Sequence, residues 1–134
     1  MRTYAPKKKT KYWLPPEEYR LAVHWCKCYS VWLKELETLP DTSKAVTYDS
    51  DKVQTSGGYD ATAELAIRRT ELAKKVWTVN YVASQAAPDL WKWILKGTTE
   101  NYTADQLIQQ GMPCSRNHYY QKRQKFYYLL ARRI

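Results

Sequence analysis

Four glycines, three cysteines and a single phenylalanine are few for a chain of 134 residues, and each scarcity removes a class of protein. So little glycine beside 6 prolines excludes collagen-like and low-complexity chains, and 44% hydrophobic residues exclude a disordered one. The Gly57-Gly58 pair lacks the Lys-Ser/Thr that completes a phosphate-cradling P-loop. No run approaches the roughly 18 consecutive apolar residues that mark a membrane span. The basic N-terminus passes through Tyr12-Trp13-Leu14 into Pro15-Pro16-Glu17-Glu18, which is no signal-peptide core, so a cytoplasmic location is expected. Cys26, Cys28 and Cys114 are odd in number and follow no framework spacing, which predicts reduced thiols.

Acids are missing from both ends. Residues 1–11 carry Arg2, Lys7, Lys8, Lys9 and Lys11, and residues 116–134 carry Arg116, Lys122, Arg123, Lys125, Arg132 and Arg133, with no Asp or Glu in either stretch. The residues between them hold 11 basic and 13 acidic side chains, so the whole excess behind the net charge of +9 sits at the two ends. A balance of this kind points to a polyanionic partner. The chain has the length of one domain.

What is present reads as helix throughout, and an all-α fold is expected. Residues 1–14 form a basic flexible arm, whose Lys7-Lys8-Lys9 run either meets a phosphate backbone or stays solvated. Pro15-Pro16-Glu17-Glu18 opens a long helix, since proline suits the first turn and acids there complement the helix dipole. Its apolar stripe is Tyr19, Ala22, Val23, Cys26, Tyr29, Trp32 or Leu33, and Leu36, and Pro40 ends it. Residues 40–60 read as a loop. A second long helix is predicted from an Asp60 or Thr62 cap to about Ala86, with an apolar stripe of Leu65 or Ala66, Ile67, Thr70, Ala73 or Lys74, Trp77 and Tyr81. Residues 15–88 then make a platform of two long helices. Asp89 is expected to cap a short helix ending at Gly97. Thr103 and Gln106 form a capping-box pattern, and Ser115 caps a last helix from Arg116 to about Arg132.

Residues 89–134 thus offer a short helix, a tight turn at Gly111 and a longer basic helix, which is the shape of a helix-turn-helix. Leu107, Met112, Tyr119, Phe126 and Leu130 make its packed side. Ser115, Arg116, Asn117, Tyr120, Gln121 and Gln124 are the candidates for base reading, because Arg pairs with guanine and Asn or Gln with adenine through two hydrogen bonds each. Lys7, Lys8, Lys9, Lys122, Arg123, Lys125, Arg132 and Arg133 are assigned to phosphates, which fix position and affinity. The competing reading is an amphipathic helix with a cationic solvent face.

The stretch Ala63 to Leu72 (AELAIRRTEL), preceded by GGYDAT, and the stretch Tyr102 to Arg133 (YTADQLIQQGMPCSRNHYYQKRQKFYYLLARR) resemble the small phage-encoded RinA and ArpU type late-gene regulators. That resemblance implies a C-terminal helix-turn-helix similar to region four of sigma factors, binding promoter DNA and controlling packaging and structural genes. It carries the recognition positions onto Ser115, Arg116, Asn117, Tyr120, Gln121 and Gln124. Pro113-Cys114 stand between Met112 and Ser115, so the turn is about two residues longer than in a plain motif.

Other chemistries fit less well. His24, Cys26 and Cys28 lie at steps of two inside a helix, where His24 and Cys28 share a face and Cys26 does not, so no three-ligand metal site is expected. Cys114 has His118 nearby but no third group, which favours packing over nucleophilic catalysis. Asp49, Asp51, Asp60 and Glu64 read as a soluble loop and a helix start, not a nuclease metal cluster. The 6 Trp and 12 Tyr suit single-stranded base stacking in principle, but most Trp lie on or beside apolar stripes. No catalytic residue, metal or cofactor is therefore expected. The leading expectation is a transcriptional activator that binds double-stranded DNA, with host RNA polymerase or a second copy on the platform helices. The alternatives are a small terminase-like DNA-packaging subunit assembled as a ring and a helical interaction protein that binds no DNA.

Overall fold

Five helices, and no strand, make up the described part of the chain in the computed structural model, which covers residues 11–39 and 56–134, the first five of the latter as backbone only. They are α1 (Pro16–Thr38), α2 (Ser56–Ala86), α3 (Trp91–Thr99), α4 (Ala104–Gln109) and α5 (Arg116–Arg133). None is long and apolar enough to cross a membrane among the described residues.

Local chemistry sets most of the boundaries. At the start of α1 the Tyr19 amide reaches the Pro15 carbonyl at 3.0 Å, and Glu17 and Glu18 occupy the first turn. The helix ends at Leu39 in an extended conformation, as the residue before a proline must. Thr103 and Gln106 make the full capping box, each side chain accepting from the other's backbone amide at 3.2 and 2.8 Å. Ser115 accepts from the His118 amide at 3.2 Å and so starts α5. Between α4 and α5, Gly111 adopts φ 109° with open space around it, so glycine is required there for its backbone angle alone.

Three boundaries differ from expectation. α2 begins at Ser56, ahead of the Asp60 or Thr62 cap, so residues 56–60 and the Gly57-Gly58 pair are helical. Each glycine costs only about 1 kcal/mol in a helix, which a 31-residue helix can absorb. The remainder of the predicted loop, with Asp49 and Asp51, lies outside the described residues, as do Lys7, Lys8 and Lys9. α3 does not take its cap from Asp89: Leu90 holds the cap position without a side-chain bond. Nor does α3 stop at Gly97. It continues to Thr99, and the left-handed residue that turns the chain is Asn101, φ 62°.

One core serves all five helices. Tyr19, Ala22 and Cys26 from α1, Val79, Val82, Ala83 and Ala86 from α2, Ile94 and Leu95 from α3, Ala104 and Leu107 from α4, and Tyr119, Phe126, Tyr127 and Leu130 from α5 form a continuous cluster. The segments 15–88 and 89–134 therefore share a hydrophobic interior. The expected packed side of the C-terminal segment is buried at every position. The expected stripe of α2 is not. Leu72, Val76, Val79, Val82 and Ala83 face the core, whereas Ile67, Thr70, Lys74, Trp77 and Tyr81 are exposed. α2 carries two apolar stripes, and the aliphatic one is buried because Trp and Tyr tolerate water at their polar ends better than Val and Leu do.

Gly97 has a different role from the one expected. It is buried inside α3, and a side-chain carbon there would run into the Tyr119 hydroxyl and stand 2.9 Å from Leu107 Cδ1. This is a close helix approach, and it sets the first half of α5 directly on α3.

Candidate nucleic-acid interface

The core dictates which side of α5 is free. Tyr119, Phe126, Tyr127 and Leu130 point inward, and at about 100° per residue the opposite side carries Asn117, His118, Gln121, Lys125 and Arg132. Asn117, His118, Gln121 and Arg132 are exposed, and Lys125 is half-exposed. His118 was not among the sequence-derived candidates. Its position one residue after Asn117 in a capped first turn is the signal that marks it.

The predicted base-reading residues do not all share that side. Ser115 is engaged as the cap. Arg116 leans back toward α4, with its guanidinium 3.7 Å from Asp105 in an exposed ion pair that contributes little to stability. Tyr120 is half-buried, edge-on to Tyr119 at 5.4 Å between ring centroids. Gln124 lies on nearly the same side as Asn117, but its Nε2 is engaged, donating to the Tyr12 carbonyl at 2.5 Å. Asn117 and Gln121 are the two that face outward together.

Among the described residues, the three arginines predicted as phosphate ligands are held on aromatic rings. Arg123 lies 4.7 Å over Tyr120 and 5.6 Å over Tyr127, Arg132 5.0 Å over Tyr128, and Arg133 4.7 Å over Tyr81 and 5.5 Å over Trp77. A planar guanidinium stacked in this way keeps its edge donors for an anion while losing less freedom on binding. Lys122 and Lys125 are half-exposed.

The end of the N-terminal arm packs on the same helix. Leu14 is fully buried, Tyr12 meets Tyr128 edge-on at 5.4 Å, and Lys11 lies 5.4 Å over the Tyr12 ring. Residues 11–14, read from sequence as the end of a flexible arm, are thus part of the fold. Lys11, the last basic residue of the N-terminal acid-free stretch, is thereby brought to α5 through Tyr12, over 100 residues away in sequence.

No metal constellation of three or more His, Cys, Asp or Glu occurs among the described residues. His24 Nε2 and Cys28 Sγ are 3.4 Å apart on the outside of α1, while Cys26 is buried and its thiol is pushed up to about 12 by desolvation. Burial likewise pushes the Tyr119 phenol up to about 12. Neither group is ionised near neutrality, so neither supplies a nucleophile. Cys114 is half-buried beside the turn, its thiol also raised by partial desolvation. No family model matches the chain, and no curated protein or solved structure matches it either.

Proposed function

We propose that the chain is a sequence-specific double-stranded DNA-binding transcriptional regulator, an activator of phage late genes, in which α4, the Gly111 turn and α5 act as a helix-turn-helix. The observation that carries this reading is the docking of Tyr12 on Tyr128 and Gln124, which brings Lys11 to the acid-free helix α5 and its outward Asn117, His118 and Gln121. Amide side chains on an exposed first turn suit adenine edges in the major groove, and the flanking cations suit the phosphates on either side. The mechanism is binding alone: α5 reads bases, the arm and the stacked arginines neutralise phosphates, and the outer surface of α1 remains for RNA polymerase. Selection of bound sequences from a random DNA pool tests it. Enrichment of a defined motif supports the reading, and retention of unselected sequence, or of no DNA at about 150 mM salt, overturns it.

A second reading, a ring-forming DNA-packaging subunit, draws support from the exposed stripe of α2. The mass of the assembly in solution separates the two, since eight or more subunits belong only to the ring.

A further inference from the structure

Ile67, Trp77 and Tyr81 stand 59%, 52% and 37% exposed on one side of α2, on the side turned away from the core. With Ala63, Thr70 and Lys74 they follow alternating steps of three and four residues, the spacing of a helix-pairing seam. Thr70 and Thr78 donate their hydroxyls back to the carbonyls of Ala66 and Lys74, which removes two polar groups from this side. Trp77 and Tyr81 are stacked, 4.8 Å apart and 11° from parallel, so they form a rigid projection. A little over two turns nearer the helix start, Ala66, Ile67, Thr70 and Glu71 line an open, shallow hollow.

The charges along this side are polar in arrangement. Glu64 and Glu71 flank the hollow, whereas Lys74 and Arg133 flank the aromatic projection. Neither Glu71 nor Lys74 makes a close ion pair among the described residues, although Glu71 lies within electrostatic reach of Arg68, which is held by Glu35 of α1 at 2.8 Å. A parallel partner would set like charges together. An antiparallel copy sets unlike charges together.

We infer that this side of α2 binds a second copy of the chain, antiparallel across a two-fold axis between positions 72 and 73. That one axis satisfies three pairings. Trp77 enters the partner's hollow about 13 Å along the helix, given a rise of 1.5 Å per residue. Glu71 faces the partner's Lys74. Glu64 faces the partner's Tyr81 and the Arg133 stacked on it. Each contact occurs twice, as an isologous interface requires. A single helix face offers less than the roughly 800 Å² per partner of a standard interface, so a reversible dimer is expected. The inference goes beyond the DNA-binding reading and is measured without DNA; if both hold, the target site is an inverted repeat.

Sedimentation equilibrium of the full chain from about 1 to 200 µM, with Glu71→Lys, Lys74→Glu and the double exchange, provides the test. The wild type is expected to move from the 15.9 kDa chain mass to twice that value. Each single reversal is expected to raise the dissociation constant about tenfold, and the double exchange to restore it, since it only swaps which copy supplies which sign. Both positions are exposed, and circular dichroism checks that all variants keep their helix content. A monomer at 200 µM, an assembly larger than a dimer, or a double exchange no better than the singles overturns the antiparallel pairing.

Discussion

Gly97 is where a single methyl group tells most about how α5 is held. Gly97→Ala would gain about 1 kcal/mol of helix propensity at an exposed site. Here the added carbon collides with the hydroxyl end of Tyr119, a ring only 1% exposed and held in the core, so it has little room to swing. Overpacking of this kind costs about 1 to 3 kcal/mol, and a rigid ring end places it at the upper limit, for a net loss of about 2 kcal/mol. The Tyr119 hydroxyl is also buried without a hydrogen-bond partner among the described residues. Tyr119→Phe is therefore expected to be neutral or to stabilise by about 1 kcal/mol, because a buried unpaired hydroxyl costs roughly that much. In the Tyr119→Phe background, Gly97→Ala meets only the ring carbon at 3.1 Å and the flexible end of Leu107, so its cost should fall below about 1 kcal/mol. Urea unfolding followed by circular dichroism reads all four proteins: the single Gly97→Ala variant should shift the midpoint down by about 1 M and the double by less than half of that. Equal losses in both backgrounds, or a loss above about 1 kcal/mol for Tyr119→Phe alone, would refute the close-approach argument.

Four further outcomes follow from the same structure. Asn117→Ala or Gln121→Ala should cost about 1 to 3 kcal/mol at the selected DNA site and little on random DNA, whereas Lys122→Ala should weaken both alike and lower the salt slope by about one, as read by fluorescence anisotropy. Deleting residues 1–10 should leave the melting temperature unchanged, while deletion through Leu14 should lower it by several degrees, since Leu14 is wholly buried; equal effects would contradict the docking of residues 11–14. An aromatic disulfide reagent at neutral pH should modify Cys28 and Cys114 but reach Cys26 only on unfolding, because Cys26 is buried with its thiol pushed up to about 12. Burial raises the Tyr119 phenol from 10.0 to about 12 and raises Tyr127 as well, so the stability tied to their neutral forms is complete below pH 10 and is lost as pH rises toward 12. Alkaline unfolding should occur in that window and begin later in Tyr119→Phe, a result checked by circular dichroism against pH.

The features legible in the sequence were those decided within a few residues. Pro15-Pro16 at the start of α1, the Thr103–Gln106 box and the Ser115 cap are satisfied by neighbours in the chain, and the left-handed turn at Gly111 needs no partner at all. Gly97 does not end its helix as its spacing suggests, because a glycine near the end of an apolar run has two physical uses, to end a helix or to admit a neighbour. Only the position of Tyr119, 22 residues later, decides between them. The stripe on α2 failed for a related reason: with apolar residues on two sides, periodicity shows that a helix forms but not which side the rest of the chain covers.

The candidate interface shows the same division between local and distant causes, and it bears on what α5 can read. Its inward side is committed to the core by Tyr119, Phe126, Tyr127 and Leu130, and a shift of α5 by one residue would expose Phe126. Gln124 looked equivalent to Gln121 along the helix, yet its amide is taken by the Tyr12 carbonyl, a partner that no spacing rule connects to it. Releasing Gln124 for a base would leave that carbonyl without its donor and loosen the seat of Tyr12, with Lys11 over its ring, on Tyr128. Under the proposed DNA-binding function, base contact by Gln124 would therefore compete with its hold on Tyr12. The proposed reading surface then narrows to Asn117, His118 and Gln121, about one and a half turns of helix, while Gln124 holds Tyr12 in place.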